Sequence, residues 1–231
     1  MNVVIIPARG GSKEILKKNL HPFCGKPLIF WTVNQAKKSK LVDKIIVTSD
    51  DQEILEYCKN LEVDTIKRPK NISGDKASSE DALIHCIEKF KLKNELIIFL
   101  QATSPLRYIN DIDDAIQKSF ESKNKVLFSA SKLEDIIIWE KSKNTLKCVN
   151  SDWKNRKPRQ TNKKEFIIEN GSIYIFPSNH ILQYKNRMSH KMGVYMMELW
   201  QSYEIDTLKE LKFCEKQFYE NLPGQIKNDI T

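Results

Sequence analysis

Short runs of consecutive apolar residues recur along the first hundred residues and alternate with segments of helical periodicity. The predicted strands lie at residues 3–6, 45–48, 63–66 and 95–100, and residues 3–6 and 96–100 are apolar throughout. Runs that are apolar throughout are typical of strands buried on both faces of a parallel sheet. Between them the pattern predicts helices over 27–36 and 52–60, and another that begins near Ser78. This β-α-β repetition predicts a doubly wound α/β fold with a mainly parallel sheet.

Three of the predicted strands end in polar loops. The first strand runs into Pro-Ala-Arg-Gly-Gly-Ser-Lys at residues 7–13, the second into Ser49 and Asp50, and the last into Gln-Ala-Thr-Ser-Pro-Leu-Arg at residues 101–107. The carboxyl ends of parallel strands share one edge of the sheet, and such folds bind ligands outside that edge. We therefore expect the three loops to converge on one ligand site.

The loop after the first strand has the composition of a phosphate-binding loop. Gly10 and Gly11 allow a sharp backbone turn that brings N–H groups close to anionic oxygens, and Arg9, Lys13 and Lys18 add positive charge. The loop matches neither the dinucleotide fingerprint nor the P-loop motif. We predict that the loop binds a polyphosphorylated ligand. The alternative is an ordinary strand-to-helix turn with surface lysines.

Composition excludes several classes of protein. A chain of 231 residues is long enough for one α/β domain, which we expect to span residues 1–231. No apolar run approaches the ~20 residues that a membrane span needs, and the first six residues do not resemble a secretory signal. The five cysteines contain no C-x-x-C pair and the four histidines do not cluster. We expect reduced thiols, no zinc site and a cytoplasmic location.

The formal net charge of +8 raises nucleic-acid binding as an alternative. The lysine pairs are spread along the chain, at residues 17–18, 37–38 and 163–164. A solvated lysine-rich surface explains this distribution, and small anionic substrates fit the excess charge equally well. We therefore expect no nucleic-acid partner.

Several motifs, taken in order, resemble the acylneuraminate cytidylyltransferases, the CMP-sialic acid synthetases. They are IIPARGGSK from residue 5, Lys18-Asn19, GKPL from residue 25, Ser49-Asp50, RPKNISGDKASSEDA from residue 68, LQATSPLR from residue 100 and NGSIYIF from residue 170. The resemblance is close over 3–131 and patchier over 157–211. It implies a three-layer, Rossmann-like nucleotidyltransferase fold of the glycosyltransferase A type. The implied reaction converts CTP and a nine-carbon 2-keto sugar acid to a CMP-sugar and pyrophosphate, with Mg²⁺ as cofactor.

The resemblance also implies which residues contact the nucleotide. Arg9, Lys13 and Lys18 would hold the triphosphate and, with Asp206, support catalysis. The implied nucleotide-binding residues are Ala8, Arg9, Gly10, Gly11, Ser12, Lys13, Lys18, Asn19, Asp75 and Ser79. A helix N-cap is the alternative role for Ser78 or Ser79.

The sugar acid is expected over the loop at 101–107. Gln101 offers donors and acceptors for hydroxyl or N-acyl groups, Arg107 offers a cationic fork, and Arg159 matches a basic segment that the family uses near the acid. The expected acid-binding residues are Gln101, Thr103, Ser104, Arg107, Arg159 and Gln160. Solvated surface arginines are the alternative for Arg107 and Arg159.

Late in the chain, Glu204 and Asp206 match an Asp-x-Asp pair of the family. In an extended segment the two carboxylates lie on the same side, and Mg²⁺ needs only one or two carboxylates beside phosphates. We expect both to hold Mg²⁺; a surface acid and a helix N-cap are the alternatives. The sequence departs from the family's pattern at two points. Glu14 lies beside the expected triphosphate loop, and an arginine that many sialic acid enzymes carry before Asn170-Gly171 is missing.

Residues 133–155 are apolar at Ile136–Trp139 and at Leu146 amid charged neighbours. The family projects a comparable arm into a partner subunit, so we expect a dimerisation arm and a homodimer; a hairpin packed on its own domain is the alternative. A helix is expected after Leu208 and a frayed tail from Asn221. The activity expected overall is CMP transfer to a sialic, legionaminic or related acid. A CMP-Kdo synthetase and a non-catalytic nucleotide- or RNA-binding module are the alternatives.

Overall fold

The computed structural model describes residues 1–74, 77–123, 125–134, 136–155 and 165–230. The strands are β1 (Asn2–Pro7), β2 (Pro22–Phe23), β3 (Lys26–Pro27), β4 (Lys44–Ser49), β5 (Asp64–Lys67), β6 (Leu96–Leu100), β7 (Leu127–Lys132), β8 (Trp139–Ser142), β9 (Thr145–Cys148), β10 (Ile167–Pro177) and β11 (Gly193–Met197). The helices are α1 (Leu28–Lys38), α2 (Gln52–Asn60), α3 (Ser79–Lys89), α4 (Asp111–Glu121), α5 (Ser178–Tyr184), α6 (Leu208–Asn221) and α7 (Pro223–Ile230).

A seven-stranded sheet lies at the centre, in the order β11-β7-β10-β6-β1-β4-β5. β1 pairs in parallel with β4 and β6, β4 with β5, and β7 with β11. β10 runs antiparallel to both of its neighbours, β6 and β7. The mainly parallel sheet confirms the prediction from the apolar runs. The antiparallel β10 brings its first residues to the edge where β1, β4 and β6 end.

Helices cover both faces of the sheet. Alternate residues of β1 point to opposite faces: Val4 and Ile6 pack in one core cluster with residues of α1, α2 and α4, and Val3 and Ile5 in the other with residues of α3 and α5. This alternation follows from the period of two in a strand. The result is the three-layer α/β arrangement expected from the sequence. No helix among the described residues is long and apolar enough to cross a membrane.

The helix starts follow their capping residues. Asp51 caps α2, accepting hydrogen bonds from the backbone N–H groups of Glu53 and Ile54. Ser78 caps α3 in a reciprocal capping box with Asp81, which confirms the N-cap alternative for Ser78. Ser79 is the first helical residue.

The C-terminal segment differs from its prediction. The expected frayed tail after Asn221 is wrong, because residues 223–230 form α7. Gln225 on this helix is buried, and its side chain contacts Gln35 of α1 and the backbone of Arg107. These hydrogen bonds anchor the tail to the loop after β6.

Residues of the expected arm form a separate hairpin. β8 and β9 pair only with each other, and their side chains are exposed except for half-buried Cys148. Apolar side chains on and beside the hairpin are exposed, among them Ile138 at 42%, Leu146 at 64% and Trp153 at 56%. Among the described residues, the side chains of β8 and β9 are therefore left largely open to solvent.

Candidate active site

Asp50 ties the glycine loop to the corner after β4. Its Oδ1 accepts a hydrogen bond from the Gly10 backbone N–H at 3.0 Å and lies 3.7 Å from the Arg68 guanidinium. Burial lowers the pKa of Arg68, and Asp50 opposes that shift. A Cβ on Gly10 would lie 2.5 Å from Asp51 Oδ2, whereas one on Gly11 would meet nothing within 4 Å. Gly10 therefore permits a close approach that a side chain would block.

The predicted triphosphate residues lie together around this loop. Arg9, Gly11 and Lys13 are exposed, Gly10 and Ser12 are half-buried and Ala8 is buried. Buried Asn19 fixes the loop by donating from Nδ2 to the Arg9 carbonyl at 2.9 Å. Lys18 Nζ lies 2.6 Å from Asp206 Oδ1, which connects the loop to a segment 188 positions away. The structure thus brings the glycine loop and Asp206 to one place at the sheet edge.

The loop after β6 meets the segment that carries Glu204. Gln101 Nε2 donates to Glu204 Oε1 at 2.6 Å, and the Ile205 N–H donates to the Thr103 carbonyl at 2.9 Å. Burial raises the pKa of Glu204, and the nearby Asp206 carboxylate raises it further. Gly171, with φ of 68°, packs against this pair. The three predicted loops therefore converge at one edge of the sheet.

Two of the predicted acid-binding residues lie beneath the surface. Arg107 is 0% exposed, and its guanidinium donates to Thr32 Oγ1, Gln35 Oε1 and the carbonyls of Gln101 and Ser172 at 2.8–3.2 Å. Ser104 is 1% exposed, with its Oγ 3.4 Å from Glu204 Oε1. Both side chains are enclosed by protein in this structure, and a contact of either one with the acid stays a prediction. Arg107 holds the backbones of β10 and the Gln101 loop together.

The two acidic residues differ in their fit to Mg²⁺. Asp206 has an exposed carboxylate beside the triphosphate loop, which suits a cation that bridges one carboxylate to phosphates. Glu204 is half-buried, with Oε1 engaged by Gln101. Within the described ranges, no group of three or more His, Cys, Asp or Glu side chains could hold a metal ion by itself. Asp206 fits the cofactor better than Glu204 does.

Asp75, Arg159 and Gln160 lie outside the described residues. Ser79 is half-buried in the first turn of α3. Its contact with the nucleotide stays a prediction.

One group of polar residues near the site was missed by sequence reasoning. Arg187 donates to Glu80 Oε1 at 2.6 Å and lies 4.4 Å from the ring of Tyr174, whose hydroxyl donates to Glu169. The group joins the first turn of α3 to the start of β10. Glu80 and Arg187 are 107 positions apart, and no local motif links them.

The family assignment rests on a match over nearly the whole chain. Residues 3–226 match the model of the family described as Cytidylyltransferase. The chain belongs to the cytidylyltransferase family. It is therefore a nucleotidyltransferase, and the family recognised in the motifs is confirmed.

Two curated cytidylyltransferases illustrate the similarity. The pseudaminic acid cytidylyltransferase of Campylobacter jejuni (serotype O:23/36, strain 81-176) is 32% identical over 93% of this chain and 94% of its own length. The N-acylneuraminate cytidylyltransferase of Escherichia coli O18:K1:H7 is 28% identical over 97% of this chain, which spans 56% of that protein.

A solved structure supports the fold. The CMP:2-keto-3-deoxy-manno-octonic acid synthetase complexed with CTP has a TM-score of 0.71, with 17% identity over 96% of this chain and 99% of that chain. At this level of identity the likeness confirms the nucleotidyltransferase fold alone.

Proposed function

We propose that this cytidylyltransferase transfers CMP from CTP to a nonulosonic acid, a nine-carbon 2-keto sugar acid of the sialic, legionaminic or pseudaminic type. The observation that carries the proposal is the 32% identity, over nearly the full length of both chains, to an enzyme named for such an acid. The site geometry supports it, since a cationic glycine loop faces a loop that carries a hydrogen-bonding amide.

In the proposed reaction, the anomeric hydroxyl oxygen of the acid attacks the α-phosphorus of CTP. The new O–P bond replaces the bond to the bridging oxygen of the β-phosphate, pyrophosphate leaves, and the hydroxyl proton is released. Catalysis of this kind depends on alignment and on neutralising the charge of the phosphates. Arg9, Lys13 and Lys18 supply that charge, and the Gly11 amide approaches the same oxygens, whereas Gly10 shapes the loop through its N–H contact with Asp50.

The remaining residues divide between the two substrates. Ala8, Ser12, Asn19, Asp75 and Ser79 complete the proposed nucleotide site. Gln101 and Thr103 contact the acid, with Arg159 and Gln160 from the segment beyond the described residues. Mg²⁺ would bind at Asp206 and neutralise phosphate charge.

We also propose a homodimer built through the hairpin β8–β9. Exposed Ile138, Trp139 and Leu146 would be covered by a second copy, because isolated hairpins with apolar faces need a packing partner. Light scattering should give twice the chain mass of 27.0 kDa, and Leu146→Glu should shift it toward that of one chain. A monomeric mass for the unaltered protein would contradict the dimer.

Five free cysteines are consistent with a cytoplasmic location.

The activity is tested by pyrophosphate release with Mg²⁺. CTP is compared with ATP, GTP and UTP, and each is paired with sialic, legionaminic, pseudaminic and Kdo acids. Release that requires CTP and one nonulosonic acid is the expected result. Release with Kdo alone would favour the CMP-Kdo alternative, to which the fold neighbour points. Salt-dependent RNA binding without turnover would favour the non-catalytic alternative.

A further inference from the structure

One oxygen of the half-buried Glu204 carboxylate is engaged by neighbouring side chains. Its Oε1 accepts from Gln101 Nε2 at 2.6 Å and lies 3.4 Å from Ser104 Oγ. An ionised carboxylate can only accept hydrogen bonds. The amide of Gln101 must therefore turn its NH₂ toward Glu204, and the carbonyl oxygen Oε1 is left to face away.

The backbone behind this pair is rigid. A Cβ on Gly171 would overlap Glu204 Oε1 and come 2.6 Å from Gln101 Nε2, so the bare glycine forms the wall against which both side chains pack. Buried Arg107 donates to the carbonyls of Gln101 and Ser172, which ties the loop after β6 to β10 beside the pair. Such support can hold an amide in one orientation before a ligand arrives.

We propose that Glu204 is a positioning residue for the acid substrate. By capturing the Gln101 NH₂ it makes Gln101 Oε1 a fixed acceptor, so the site selects acids that present an N–H or O–H donor at this point. The inference rests on the proposed function and adds to it the polarity of one acid contact. It also gives Glu204 a role other than metal binding.

The length of the side chain is the structural reason. Aspartate at position 204 would be one methylene shorter and would not reach Gln101 without movement of the backbone. Gln101 could then rotate and offer either end of its amide, and selection by polarity would be lost.

Steady-state kinetics of Glu204→Asp test this role, using the acid that supports turnover of the unaltered enzyme. The KM for the acid should rise about ten-fold, with the CTP KM and the Mg²⁺ concentration for half-maximal rate each unchanged within about two-fold. Glu220→Asp, at an exposed position of α6, is the matched control and should change none of the three. Thermal unfolding of each variant checks that the fold is kept.

A second variant, Gly171→Ala, tests the contact between Gln101 and Glu204 through the backbone beside it. Gly171→Ala places a methyl group where Glu204 Oε1 lies, so it should displace the carboxylate and reproduce the selective rise in acid KM. Calorimetric titration of the acid into the CTP-loaded protein without Mg²⁺ should show the same weakening for both variants.

Two outcomes would overturn the inference. An altered Mg²⁺ requirement with an unchanged acid KM would make Glu204 a metal ligand, and unchanged parameters throughout would leave it without a positioning role. Absence of turnover by the unaltered enzyme with any acid would instead contradict the proposed function, so the two failures are distinguishable.

Discussion

The two sides of the candidate active site are built in different ways. On the proposed nucleotide side, Arg9 and Lys13 lie exposed on a loop fixed mainly through its backbone, by Asn19 and Asp50. On the proposed acid side, Gln101 and Glu204 are half-buried and hydrogen-bonded to each other. A triphosphate carries dense charge and can be held by mobile cations, whereas an acid must be distinguished from near-isosteres by hydrogen bonds of fixed polarity.

Arg107 provides the test with the largest expected effect. Replacing it by Met removes hydrogen bonds to Thr32, Gln35 and two carbonyls, and should lower the free energy of unfolding by roughly 3–5 kcal/mol. Chemical denaturation measures this change, and Lys209→Met at an exposed position should alter it by less than about 0.5 kcal/mol. If Arg107→Met kept normal stability but selectively raised the KM for the acid, Arg107 would be a substrate contact.

Lys18 tests the nucleotide side. Lys18→Ala removes positive charge from the proposed triphosphate site, and kcat/KM for CTP should fall by about 10²–10³-fold. Its neighbour Lys17 forms an exposed ion pair with Glu53, so Lys17→Ala should cost less than about three-fold. Equal effects of the two substitutions in the pyrophosphate assay would contradict a specific role for Lys18.

The glycine pair gives a finer comparison on the same side. Gly10→Ala would bring a methyl group to 2.5 Å from Asp51 Oδ2 and push the loop from its corner, whereas Gly11→Ala meets no neighbouring atom. The CTP KM should rise about ten-fold for Gly10→Ala and change little for Gly11→Ala. The opposite order would show that the loop binds CTP in a different conformation.

Arg187 should give the smallest effect, and it tests whether the two sides are coupled. It contacts Glu80, the neighbour of the predicted nucleotide residue Ser79, and Tyr174 of β10, the strand that carries Gly171. Arg187→Met should raise the KM for both substrates by a similar factor of about two to five. An effect on one substrate alone would mean that the group supports only that side.

The nucleotide side was the more predictable of the two from sequence. Most of its predicted residues fall within one stretch, from Ala8 to Asn19, so the motif and the strand before it placed them together. The burial of hydrophobic β1 and β6 followed from uninterrupted apolar runs. Asp51 and Ser78 were recognisable as caps because their signals are local.

The acid side depends on contacts that local patterns do not encode. Gln101 meets Glu204 across 103 positions, and Gly171 comes from the antiparallel strand β10. Arg107 was expected to contact the acid, with a solvated arginine as the alternative, because its burial comes from distant residues that leave no local signal. It is buried because Gln35 of α1 and Gln225 of α7 cover the loop, and the helix α7 was itself missed.

The claim that one side of the site binds CTP and the other binds the acid is tested most directly with Lys18→Ala and Gln101→Ala. The KM for each substrate is measured in both variants by pyrophosphate release. The account predicts that Lys18→Ala raises the KM for CTP and leaves that for the acid nearly unchanged, while Gln101→Ala does the reverse. If both variants changed the two KM values in the same way, the claim that the two sides bind different substrates would be contradicted.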